Sequence, residues 1–207
     1  LFGYVLGGRI GNVVLSDVNI TGYTFTGPLV GNLYSGAVDN CSASGTVRGT
    51  DYSGAGLVGW NSGSISNSSS HCTVTGYQYT GGLVGTNGGT IFNCYVTGEV
   101  AGSSHYVGGL AGSNLGNVSQ SYATGTVSGD SRVGGLVGDN FLSIYDSFAT
   151  GDVNGKQRVG GLVGLNNAGA IISNSYATGM VSGNKEFGGM AGVGGGRVES
   201  SYWDIYS

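Results

Sequence analysis

Residues 118 to 129 read Val118-Ser-Gln-Ser-Tyr-Ala-Thr-Gly-Thr-Val-Ser-Gly129. Almost the same twelve residues return as Ile144-Tyr-Asp-Ser-Phe-Ala-Thr-Gly-Asp-Val-Asn-Gly155 and Ile172-Ser-Asn-Ser-Tyr-Ala-Thr-Gly-Met-Val-Ser-Gly183. Looser copies run from Val38 to Gly49, Ile65 to Gly76 and Ile91 to Gly102. The copy from Ile10 to Gly22 is one residue longer, and the final one runs from Val198 to Ser207. Inside the block the period is two. Ala123, Gly125 and Val127 fall on one side, and Tyr122, Thr124, Thr126 and Ser128 on the other. Small or apolar residues alternating with polar ones is the strand pattern. Frequent β-branched residues and glycine in every window argue against any helix longer than a turn.

A second string, Gly-Leu-Val-Gly with small variations, precedes each block. Its leucine position falls at Leu1, Leu29, Leu57, Leu83, Leu110, Leu136, Leu162 and Met190, at intervals of 28, 28, 26, 27, 26, 26 and 28 residues. A regular period in this range, filled with short strands, is the mark of a solenoid. The expected fold is all-β: one parallel β-solenoid domain over residues 1–207. It has about seven coils of 26–28 residues and incomplete coils at both ends. Strands are expected at Gly-Gly-Leu-Val-Gly, near Ile-x-Asn and at Ala-Thr-Gly-x-Val. Parallel crossovers are almost always right-handed, so a right-handed coil is expected.

Composition agrees. Of 207 residues, 45 are glycine and one is proline, and 9% are charged. One proline excludes collagen, and a 39% hydrophobic content excludes a flexible linker. No apolar run is long enough to span a bilayer. A net charge of −4 with seven thinly spread basic residues excludes a phosphate-binding face. The expected partners therefore include neither nucleic acid nor inserted membrane. The chain starts at Leu1 without a methionine or signal peptide, as expected of a processed product or a fragment.

In a solenoid, aligned positions become ladders. Val47, Val74, Val100, Val127, Val153 and Val181 should stack inside with the Leu/Val positions. Asn61, Asn87, Asn114, Asn140 and Asn166 form one amide column, expected as a structural ladder. Asn40, Asn67, Asn93, Gln120, Asp146 and Asn174 form another, at corners where left-handed backbone is tolerated. Four sequons, at Asn19, Asn40, Asn67 and Asn117, at least two of them on or beside such positions, would matter only in a glycosylating host. Tyr95, Tyr122, Phe148, Tyr176 and Tyr202, preceded by Ser42 and Ser69, form an outer aromatic ladder. Such a ladder either stiffens its sheet by ring packing or binds a ligand or partner, and it is the candidate binding surface. Beside it run Ser44, His71, Thr97, Thr124, Thr150 and Thr178, and then Thr46, Thr73, Glu99, Thr126, Asp152 and Met180. Paired threonines suggest ice binding, but Glu99, Asp152 and Met180 break the array.

Cys41 and Cys94 share a column with Ser68 between them. That separates them by two coils, roughly 9.6 Å at strand spacing, beyond disulfide reach. Three free thiols acting as small hydrophobes are expected. Arg132, Lys156, Arg158 and Lys185 are expected as solvated turn charges. No His-Glu-x-x-His, Cys-x-x-Cys, nucleophile elbow or same-coil carboxylate pair is visible, so no catalytic residue, metal site or cofactor is expected.

The Gly-Gly-Leu-Val-Gly-x-Asn and Asn-Ser-Tyr-Ala-Thr-Gly-x-Val-x-Gly strings resemble the GLUG repeat family. Ile10 to Gly22 and Ser201-Tyr-Trp-Asp204 are similar to the ends of such arrays. The resemblance covers essentially the whole chain. It implies bacterial or archaeal surface and secreted proteins, including large adhesins and the non-catalytic part of some immunoglobulin A peptidases. It carries over no catalytic residue. The functional expectation is a non-catalytic, extracellular or cell-surface structural and adhesion module. Its partners would be a host or cell-surface glycan or protein, or other copies of itself. A fibre subunit stacking head to tail and an accessory domain of a secreted hydrolase are the alternatives.

Overall fold

The computed structural model describes residues 1–204; the final residues of the last repeat copy lie outside the described part. Every strand pairing among the described residues is parallel, and between the two ends each coil pairs with its equivalents one coil before and one coil after. The result is a β-solenoid of about eight turns. The leucine column shows the stacking directly. Leu57 N–H donates to Leu83 O, Leu83 to Leu110, Leu110 to Leu136 and Leu136 to Leu162, at 2.8–3.0 Å.

One coil, taken from Leu110, shows the path. Gly-Gly-Leu turns the chain, and the strand Ala111–Asn114 follows. A corner leads to Asn117–Ser119. A second corner leads to Tyr122–Ala123 and, past Thr124-Gly125-Thr126, to Val127–Ser128. The last strand is Ser131–Gly134. That last segment builds a separate five-stranded sheet from Thr80–Gly81 to Lys185–Gly188. The sequence reading expects turns here, carrying Arg132, Lys156, Arg158 and Lys185; the structure makes the segment a strand. The first two coils use longer strands, up to 13 residues, and their register slips between Leu15 and Val18. That slip absorbs the extra residue of the first copy as a bulge.

The interior holds Leu29, Leu57, Leu83, Leu110, Leu136 and Leu162 in one column. Ile65, Ile91, Val118, Ile144 and Ile172 face them, all at 0–1% exposure. Fully burying each such side chain contributes about 1.5–3 kcal/mol. The valine column pairs in the expected register. Its first rungs, Val47 and Val74, pack with the leucines, and the later ones leave that core. Val100, Val127 and Val153 pack with Val107, Val133 and Val159 of the five-stranded sheet in a satellite core.

The glycine doublet has two separate reasons. A methyl on Gly108, Gly134 or Gly160 would overlap the carbonyl of the residue three positions later, so the first glycine permits the turn. A methyl on Gly109 or Gly135 would overlap the carbonyl of the equivalent glycine one coil on, Gly135 or Gly161, and also the Ala123 or Ala149 methyl of the opposite sheet, so the second permits close approach.

Candidate functional site

The outer aromatic ladder is assembled by strand register. Tyr95 pairs with Tyr122, Tyr122 with Phe148, Phe148 with Tyr176 and Tyr176 with Tyr202. Ring centroids lie 5.2, 4.7, 4.8 and 5.4 Å apart, with interplanar angles of 11°, 3°, 6° and 9°. Strand spacing of about 4.8 Å thus becomes ring spacing. The inner rings are half-buried because each is covered by its neighbours, whereas Tyr202 is exposed. Burial lifts the Tyr176 hydroxyl above its ordinary pKa. On the far side of Tyr95 the rungs are Ser69 and then Ser42. His71 stands edge-on to Tyr95 at 5.6 Å, and its Nδ1 lies 2.7 Å from the Thr97 hydroxyl.

The two amide columns differ. Asn61, Asn87, Asn114, Asn140 and Asn166 are fully buried. Each Nδ2 donates to the next Oδ1, from Asn61 to Asn87, Asn114, Asn140 and Asn166 in turn, at 2.7–2.8 Å. The ladder also bonds the corner backbone; Asn114 Nδ2 donates to Gly116 O at 2.9 Å. The other column is at the surface. Asn40, Asn67, Asn93, Gln120, Asp146 and Asn174 all have φ between 48° and 51°. Asn40 Nδ2 donates to Asn12 Oδ1, Asn93 to Asn67, and Asn67 to Asp39. Hydrogen bonds from Ser66 and Asn67, with the Arg9 guanidinium, hold the Asp39 carboxyl down at about 2.

A second left-handed column went unnoticed in the sequence. Phe25, Ser53, Tyr79, Tyr106, Arg132, Arg158 and Glu186 have φ between 47° and 66°. Its side chains fold back over the sheet. Phe25 meets Trp60 edge-on, Tyr52 and Tyr79 lie 4.6 Å apart, and Tyr79 stacks on Tyr106 at 4.3 Å. Arg132 covers the open face of that stack at 4.6 Å from the Tyr106 centroid. It also pairs with Asp139, which is fully buried, at 2.8 Å. Burial raises the Asp139 carboxyl above its usual range, with Arg132 and Asn167 opposing that rise. A fixed offset, two residues before each glycine doublet, was the available signal; the residue types there vary too much to suggest a ladder. The picture of solvated turn charges is corrected in part: Lys156 and Lys185 are exposed, whereas Arg132 and Arg158 are largely covered. Arg132, Lys156 and Arg158 are in ion pairs with Asp139, Asp130 and Glu186, and Arg132, Arg158 and Lys185 lie in strands.

The three cysteines are unpaired and buried. Cys41 and Cys94 stand in a column otherwise filled by Ser68, Ser121, Ser147 and Ser175. Backbone N–H groups donate to hydroxyls of the next rung, as Cys94 does to Ser121 and Ser121 to Ser147. Burial pushes the Cys94 thiol up to about 12 and raises that of Cys72. Among the described residues, no group of three or more histidine, cysteine or acidic side chains is placed to hold a metal ion.

Comparison with known proteins follows the same columns. The family described as the GLUG motif matches residues 76–101, 103–128 and 155–182. The crystal structure of a putative immunoglobulin A1 protease from Bacteroides ovatus superposes with a TM-score of 0.61 at 19% identity, over 96% of this chain and 68% of that one. At that identity the likeness is one of fold. No curated protein matches the sequence. The three motif matches fall in phase with the coil, and the chain is a parallel β-solenoid with three matches to the GLUG motif.

Proposed function

We propose that this solenoid is a non-catalytic, extracellular structural and adhesion module whose contact surface is the aromatic ladder. The observation that carries the reading is the unbroken stack of Tyr95, Tyr122, Phe148, Tyr176 and Tyr202 on the outside of the rod. Interior leucines and valines already supply a complete core, so an external row of rings is not needed to bury one. Partly exposed aromatic rows are enriched where proteins meet other molecules. The GLUG repeats, through their resemblance to surface and secreted arrays, support the extracellular setting.

The test is binding of the purified chain to a mucin-coated surface. A variant with all five rings changed to serine should bind at least tenfold more weakly while keeping its β-sheet circular dichroism. Unchanged binding by the folded variant would overturn the reading.

A further inference from the structure

Stacking decides which part of the ladder can receive a ligand ring. Tyr122 is covered by Tyr95 and Phe148, Phe148 by Tyr122 and Tyr176, and Tyr176 by Phe148 and Tyr202. These inner rings offer only their edges. Tyr95 differs, because the two rungs beyond it are Ser69 and Ser42. Two successive serines in place of rings open a notch of about 420 Å³ along the ladder's own axis. Tyr95 lines it, together with Ser42, Ser69, Asn12, Asn40 and Asn67. The volume falls within the range of roughly 300–1,000 Å³ typical of small-molecule sites.

We propose, building on the adhesion reading, that this notch binds the terminal one or two rings of a neutral carbohydrate. A pyranose has an apolar C–H face and a rim of hydroxyls. Tyr95 supplies a flat apolar platform at the place where the next ring of the ladder would stand. The amides of Asn12, Asn40 and Asn67 form one wall. Asn40 donates to Asn12, and Asn67 donates to Asp39 and accepts from Asn93; a primary amide has two donors and two acceptor sites, so each keeps positions for a ligand. Ser42 and Ser69 add hydroxyls at the back. No charged side chain lines the notch, and the nearby Asp39 is engaged by Ser66, Asn67 and Arg9. That arrangement favours a sugar without carboxylate or phosphate. An apolar peptide side chain would cover Tyr95 but leave the amide and hydroxyl wall unpaired, at a cost.

The experiment uses a printed array of neutral mono- and disaccharides, followed by calorimetric titration with the best binder. Tyr95→Ser should weaken binding at least tenfold. Ser69→Tyr should extend the ring stack into the notch and abolish binding without lowering the melting temperature. Phe141→Ser, which removes an exposed ring outside the ladder, should stay within twofold of the wild type. Full binding by Ser69→Tyr overturns the proposal. So does an array on which no neutral sugar binds the wild type, or one on which only apolar peptides do. If Tyr176→Ser weakens binding as much as Tyr95→Ser, the ligand lies along the ladder; the notch is then wrong and the adhesion reading stands. If the five-serine variant still binds mucin, the adhesion reading itself falls.

Discussion

Two columns of amides climb the same rod, one coil per step, and they serve opposite purposes. The buried column from Asn61 to Asn166 is held by its side chains. Each amide bonds the next, and none reaches water. The surface column from Asn40 to Asn174 is held by its backbone, fixed near φ 50° at every rung. The first column tolerates no other chemistry inside its run: it ends where Leu33 and Gly194 take the equivalent positions. The second accepts Gln120, Asp146 and Ser200 without leaving the left-handed region. Similar sequence signals therefore report different constraints, one on hydrogen bonding and one on conformation.

The largest effect should come from the middle of the buried column. Asn114→Leu leaves Asn140 Oδ1 unpaired in the interior, reduces Asn87 Nδ2 to longer bonds with the Gly89 and Asn117 carbonyls, and takes the amide partner from the Gly116 N–H and C=O. At about 1–3 kcal/mol for each unsatisfied buried group, urea denaturation should show a loss of about 4 kcal/mol. Asn61→Leu should cost about half as much, because Asn61 is the end of the run and Leu33 already stands beside it. Equal losses at the two positions would mean that the amides act singly and not as a ladder.

Arg132 tests the comparison from the other side. Its backbone is left-handed, as that of Asn93 is, yet its side chain supports the buried Asp139. Arg132→Ala strands a carboxylate and should cost about 3 kcal/mol at neutral pH. The pH dependence has a defined sign. Burial lifts the folded Asp139 carboxyl above its ordinary value of 3.8. The folded state therefore holds that proton more tightly than the unfolded chain, and stability falls as pH rises above 3.8. Removing Arg132 lifts the carboxyl further and should steepen the fall. Adding Asp139→Asn to Arg132→Ala should restore most of the loss and flatten the profile. A flat profile in the single variant would show that Asp139 is not the group responsible.

Much of this was legible in the sequence because a solenoid converts period into contact. Once the leucines are aligned, Val100 must lie beside Val127 and Tyr122 beside Phe148, since a coil can stack only on its neighbour. Depth was harder to see. Nothing local distinguishes Asn114 from Asn93; the coil buries one because it follows the inward Leu-Ala-Gly segment, and exposes the other because it bends a corner. The column containing Tyr79, Tyr106 and Arg132 was hidden for a related reason. Its constraint is a backbone angle, which aromatic and basic residues meet only at some expense, so residue type gave no hint of it. The notch beside Tyr95 was visible as Ser42 and Ser69 at the head of the aromatic column. Its meaning emerged only when the stacking distances showed the inner ring faces to be covered.

The smallest expected effects are at Asn93, and they define what the surface column requires. Its side chain makes one exposed bond, Nδ2 to Asn67 Oδ1 at 2.8 Å, worth little against water. Its φ of 51° is the real demand. Asn93→Gly meets that demand without a Cβ and should change stability by about 0.5 kcal/mol or less, since the relief of strain is offset by a more flexible unfolded chain. Asn93→Val forces a β-branched residue into the left-handed region and should cost about 1–2 kcal/mol. The ordering carries the argument, because glycine and valine both delete the same hydrogen bond. If the two variants are equally destabilised in urea, the side-chain bond matters and the surface column is a second ladder like the first. If only valine is, the corner is a conformational constraint, and the amides along it are free to bind something else.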